Sequence, residues 1–169
     1  WAMTNDKSKE RSVDDVLSEA IKFKSFWGSR GGITVSGGEA MLQMPFVTAL
    51  FTKAKALGIH CTLDTCGLPY STQPDTLAEI DRLLAVTDLV LLDIKEINDV
   101  RHRELTGHKN STIIEFSKYL SDKNQSCPFS PAKSGCPIFI AESENNSIVK
   151  FRFSFQNALY FRIPLTAPL

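Results

Sequence analysis

The stretch Asp88-Leu89-Val90-Leu91-Leu92-Asp93-Ile94-Lys95 decides the fold. Leu89 to Leu92 run apolar without alternation, which reads as a strand covered on both faces, as the strands of parallel sheets are. Upstream, Pro74 opens a helix whose apolar stripe is Leu77, Ile80, Leu83 and Leu84. Before it, His60-Cys61-Thr62-Leu63-Asp64 reads as a second strand, stopped at Cys66-Gly67. Further back, Pro45 begins a helix carrying Phe46, Val47, Leu50, Phe51, Ala54 and Leu57, ended by Gly58. A first strand precedes it at Ile33–Ser36, closed by Gly37-Gly38. Ser12 and Asp15 form a capping box with Asp in place of Glu, opening a helix expected to run to Trp27. Two more helices are expected near Asn98–Leu105 and Ser111–Ser121.

Strand and helix alternate three times, which demands a parallel α/β sheet with crossover connections. The strand centres Val35, Thr62 and Val90 fall at even intervals, and even units suit a (β/α) barrel better than an open sheet. In either architecture chemistry sits where strands end. Those ends are Ser36-Gly37-Gly38-Glu39, Asp64-Thr65-Cys66-Gly67 and Asp93-Ile94-Lys95. After Asn124 the pattern breaks. Residues 125–169 hold five of the eight prolines and six of the eleven phenylalanines, and such proline density interrupts helices and ladders alike. We therefore divide the chain into an α/β part, 1–124, and an irregular Pro/Phe-rich tail, 125–169, with one possible short strand around Ser147–Phe155.

The 169 residues carry 19 Lys+Arg against 19 Asp+Glu, so the net charge is zero. That argues against a duplex nucleic-acid binder, which needs a basic surface for phosphates. No apolar run reaches the roughly 18–20 residues of a membrane span, and no signal segment opens the chain, so a cytoplasmic protein is expected. Cys61, Cys66, Cys127 and Cys136 fit neither a disulfide scaffold nor a zinc or cluster motif. His60, His102 and His108 read as solvated surface residues, and Cys61 as a small core residue.

The strand ends carry the candidate chemistry. Gly37 and Gly38 remove Cβ where a ligand would meet bare backbone, although on residue type alone a tight turn needing positive φ is the simpler explanation. Asp93 and Lys95 project to one side of their strand and pair an acid with an amine. That suits a zwitterion, a plain salt bridge, or a Schiff-base lysine of an aldolase-like barrel. Asp64 is the matching carboxylate on the second strand.

Taken together, Ile33–Ala40 (ITVSGGEA), Gly58–Thr65 (GIHCTLDT), Val86–Lys95 (VTDLVLLDIK) and Glu115–Leu120 (EFSKYL) resemble the pyruvate formate-lyase activating enzymes. These are radical S-adenosylmethionine (SAM) proteins that install a glycyl radical. The resemblance covers residues 1–124. It implies a partial (β/α) barrel of the radical SAM type, incomplete at both ends, and an oxidoreductase activity using SAM and a [4Fe–4S] cluster. It further implies that the GGE element, Gly37, Gly38 and Glu39, binds the SAM ammonium through its backbone. Asp93, Ile94 and Lys95 would meet the methionine and ribose region, and Asp64 and Thr65 a monovalent cation. The implied partners are pyruvate formate-lyase or another glycyl radical enzyme, and a reductant such as flavodoxin or ferredoxin. The family's C-x3-C-x2-C cluster loop is absent from this chain. An internal segment inactive on its own is therefore expected, the alternatives being the Lys95 aldolase and a non-catalytic fragment.

Overall fold

A computed structural model describes residues 10–28, 31–126, 138–142 and 159–163. The elements in chain order are α1 (Val13–Ile21), β1 (Gly32–Gly37), α2 (Met44–Ala56), β2 (His60–Thr65), α3 (Pro74–Leu84), β3 (Leu89–Ile94), α4 (Asp99–Thr106), α5 (Ser111–Ser126), β4 (Ile138–Glu142) and β5 (Leu159–Ile163). All strand pairs are parallel, in the order β4-β3-β2-β1-β5. This is the partial parallel α/β barrel that the three β/α units imply.

The capping box forms as read. Ser12 Oγ accepts from the Asp15 N–H at 3.1 Å, and Asp15 Oδ2 accepts in return from the Ser12 N–H at 3.2 Å. The helix, however, stops at Ile21 and does not reach Trp27; a 3₁₀ turn at Lys24–Phe26 swings the Trp27 ring into the core. Burying that ring outweighs continuing the helical stripe.

Alternation along the strands separates two faces. Ile33 and Val35, Cys61 and Leu63, and Val90, Leu92 and Ile94 join Val47, Leu50, Phe51 and Ala54 of α2, with α1, α3 and α5, in one apolar core. The opposite face carries Thr34 and Ser36, Thr62 and Asp64, and Leu91 and Asp93. In the register, Thr34 lies beside Thr62 and Asp64 beside Leu91. Double burial was expected for β3, but Leu91 and Asp93 are only half-buried. The apolar run packs Val90, Leu92 and Ile94 on the helices and turns Leu91 and Asp93 toward a polar face, while Leu89 is buried at its start.

The expected boundary at residue 124 falls inside α5. Two segments from the stretch read as irregular also run as strands, β4 beside β3 and β5 beside β1. Pro137 and Pro164 flank them without interrupting them, so there proline delimits short runs of Ile, Phe, Leu and Tyr that favour strands. The strand considered at Ser147–Phe155 lies outside the described residues.

Candidate functional site

The ends of β1, β2 and β3 meet at one edge of the sheet, and one side chain latches the first two. Glu39 is extended, with φ −152°, and leads into a 3₁₀ turn over Ala40–Gln43. Its Oε1 accepts from the Met41 N–H at 2.9 Å and the Thr65 hydroxyl at 2.5 Å. Its Oε2 accepts from the Cys66 N–H at 2.9 Å and the Cys66 thiol at 2.8 Å. Thr65 Oγ1 accepts in turn from the Gly67 N–H at 3.0 Å. A carboxylate that accepts four hydrogen bonds from neutral donors fixes the chain after β1 to the end of β2. Nothing in the sequence spacing exposes this clamp, because its members lie about a full β/α unit apart. Burial, and next the hydrogen bond to Glu39, push the Cys66 thiol up to about 11, so it stays protonated and donates.

Gly37 is the last residue of β1, and Gly38 follows it into the turn. Positive φ occurs at Gly28, Gly58, Gly67 and Gly107, and not at Gly37 or Gly38. The demand for a left-handed backbone, which would have explained this pair as a turn alone, is therefore absent.

Asp93 and Lys95 form an ion pair, as their shared side of the strand requires. The Lys95 side chain is 48% exposed and ion-paired, unlike the desolvated neutral amine that a Schiff-base enzyme uses. Ile94 is buried in the core, so only its backbone faces the strand end. Asp64 stands half-buried between the two clusters. Burial, then the charges of Asp93 and Glu39, hold its carboxyl above the usual range, against the pull of Lys95. Asp64 therefore binds its proton more tightly folded than unfolded, and stability falls as pH rises through its titration. Asp64→Asn is accordingly expected to stabilise the ligand-free chain at neutral pH. Its advantage over the unsubstituted chain should shrink as pH falls and Asp64 becomes neutral; urea midpoints measured from pH 7 to pH 4 that keep a constant gap would refute this.

The histidines do not join the site, and two depart from the expected solvated surface: His60 is half-buried and His102 fully buried. His102 is 2% exposed, with Nδ1 donating to the His108 carbonyl at 2.9 Å. The α4–α5 corner closes over it, and its Nε2 lacks a partner. Burial pushes His60 toward its neutral form. Cys61 lies in the core, its thiol pushed up to about 12 by burial. Among the described residues no three His, Cys, Asp or Glu side chains form a metal-binding group. No described helix is long and apolar enough to cross a membrane.

Sequence reasoning also passed over Asn110. It is a buried residue whose amide ties the α4–α5 corner to the loop after β3.

The profile of the radical SAM superfamily matches residues 2–145. The chain is 59% identical over 122 residues to the pyruvate formate-lyase-activating enzyme of Streptococcus mutans, covering 72% of this chain and 46% of that protein. It is 52% identical over 117 residues to the Listeria monocytogenes enzyme of the same name, covering 69% and 47%. With the Escherichia coli K12 pyruvate formate-lyase 1-activating enzyme it shares 46% over 117 residues, covering 69% and 46%. The chain thus spans about half the length of the curated relatives it matches. A crystal structure of a domain of pyruvate-formate lyase-activating enzyme from Bacteroides vulgatus superposes with TM-score 0.51 at 22% identity. It covers 66% of this chain and 59% of that one, a likeness of fold.

Proposed function

Because the chain belongs to the radical SAM superfamily, we propose that its three strand ends hold the methionine end of S-adenosylmethionine in a glycyl-radical-enzyme activating protein. The observation that carries this reading is the meeting, at one edge, of a glycine pair free of left-handed backbone, an acid–amine pair and a half-buried carboxylate. A methionine zwitterion asks for that set: backbone carbonyls at Gly37 and Gly38 for the ammonium, Lys95 for the carboxylate, and Asp93 with the Ile94 backbone for the ribose side. Glu39 takes part through its main chain, since its carboxylate is already spent on Thr65 and Cys66.

A monovalent cation beside Asp64 and Thr65 suits the excess of negative charge there. The Thr65 hydroxyl already donates to Glu39, so its contribution would come from the backbone. When bound, S-adenosylmethionine supplies the radical chemistry that removes hydrogen from a glycine of the partner, pyruvate formate-lyase or another glycyl radical enzyme. Flavodoxin or ferredoxin would deliver the electron, in a cytoplasmic setting.

Among the described residues the cysteines do not fit a [4Fe–4S] cluster. Cys61 is in the core, Cys66 is held by Glu39, and the sequence contains no C-x3-C-x2-C. In this reading the chain contributes the S-adenosylmethionine side of the chemistry.

A titration of the isotope-labelled chain with S-adenosylmethionine, followed by NMR, tests this. Backbone amide shifts centred on residues 36–39, 64–65 and 93–95, with a dissociation constant weaker than micromolar, are expected. Backbone shifts that leave those three segments out, or none, would overturn the site, and a micromolar constant would overturn its being only part of one.

A further inference from the structure

Asn110 immediately precedes α5, and its carbonyl accepts the helix's first hydrogen bond, from the Ile114 N–H at 3.0 Å. Asparagine is favoured at such a position because its side-chain oxygen can cap the helix. The amide nitrogen of this one turns to a different segment. It donates to the carbonyls of Glu96 at 3.1 Å and Ile97 at 2.7 Å, while the Asn110 N–H donates to Asp99 Oδ1 at 2.9 Å. The residue is 5% exposed. Three bonds from one buried side chain and its backbone thus grip the stretch that leaves β3 directly after Lys95.

That stretch is braced from within as well. Glu96 Oε1 accepts the Asn98 N–H at 2.9 Å, and Asn98 Oδ1 caps α4 through the N–H groups of Val100 and Arg101, both at 3.1 Å. The internal bonds shape the loop. Asn110 ties it to α5, which is anchored in the core by Ile113, Phe116 and Leu120.

We infer that Asn110 is a positioning residue for the Asp93–Lys95 strand end, holding the Glu96 and Ile97 carbonyls so that Lys95 and the Ile94 backbone keep a fixed geometry toward bound S-adenosylmethionine. This role rests on the site reading above. Capping and positioning make opposite demands on one substitution. Aspartate caps as well as asparagine and suits a helix N-terminus better. It has no N–H to give two carbonyls and sets a charge against them.

The test compares the whole chain with its Asn110→Asp variant, by amide hydrogen exchange and by the same S-adenosylmethionine titration. Exchange at residues 95–98 should rise about tenfold while β1 and β2 stay unchanged, and the dissociation constant should weaken about tenfold. Unchanged exchange at 95–98, or acceleration throughout the chain, overturns the inference, as does unaltered binding. If the variant does not fold, the original chain decides: the Asn110 side-chain amide resonances should shift on adding S-adenosylmethionine, and their failure to move overturns the role. A chain that never responds to S-adenosylmethionine, yet whose loop loosens in the variant, overturns the site reading and leaves Asn110 a brace of the loop.

Discussion

Glu39→Ala is expected to lower the stability of the chain by about 3 kcal/mol and to abolish its response to S-adenosylmethionine. The substitution removes the acceptor of four hydrogen bonds at once. Thr65, buried at the end of β2, keeps a hydroxyl with no carboxylate to meet, and the Cys66 N–H and thiol lose theirs. Bonds to a charged acceptor contribute roughly 1.5–3 kcal/mol each, and water entering this half-exposed edge recovers part of that. The rest of the loss is geometric, because the turn after β1 is no longer fixed to β2. Glu39→Gln keeps the length and one acceptor oxygen but presents an NH2 to groups that themselves donate, so it should fall between the two. Asp64 adds a second readout. With the Glu39 charge gone, one of the causes raising its carboxyl disappears, and its titration should move down toward the ordinary range. Urea midpoints that place the alanine variant within about 0.5 kcal/mol of the original would remove the clamp from this account.

Gly32→Ala should be at least as damaging, costing about 3 kcal/mol or more, a large share of a small domain's stability. A Cβ at Gly32 would sit 2.0 Å from the His60 carbonyl oxygen and 2.7 Å from its carbon. Gly32 pairs with His60 at the entry of β1 and β2, so the obstacle is backbone and cannot rotate away. The strands must separate where the ladder begins. Gly58→Ala is the control, since φ is +70° there but no atom lies within 4 Å of an added Cβ. It should cost only the left-handed strain, about 1–2 kcal/mol. Thermal melts in which Gly58→Ala proves the worse of the two would contradict the close approach at β1.

Much of the frame is legible in the residues. Helix stripes and strand runs from Ser12 to Leu120 announce the three β/α units, because local period and caps are properties of neighbouring residues. The Asp93–Lys95 pair is legible for the same reason, being two positions apart on one strand. What stays hidden depends on partners distant in sequence. The Glu39 carboxylate finds Thr65 and Cys66 only after β1 and β2 pair, and the need for glycine at 32 comes from His60 across the ladder. Asn110 goes unread in the sequence, because Glu96 and Ile97 come opposite its amide only in the fold. His102 reads as a surface histidine because its own helix is polar, and its burial comes from the corner folded over it. The strands β4 and β5 were masked by the prolines around them, whose meaning changes once an open sheet edge is available on either side.

The pairing of β5 with β1 has a consequence in time. Ile33 lies beside Leu159, so closing that edge joins segments separated by more than a hundred residues of chain. On a ribosome, β1, β2 and β3 emerge and can pair long before β5 exists, because each needs only its neighbour one unit away. Until synthesis reaches β5, the outer edge of β1 offers unpaired N–H and C=O groups to any passing strand. Among the described strand pairs this contact is the most distant in sequence, and such contacts carry the largest loop-closure cost. A chaperone that shields a strand edge should therefore raise the yield of this chain most when translation is fast relative to that closure.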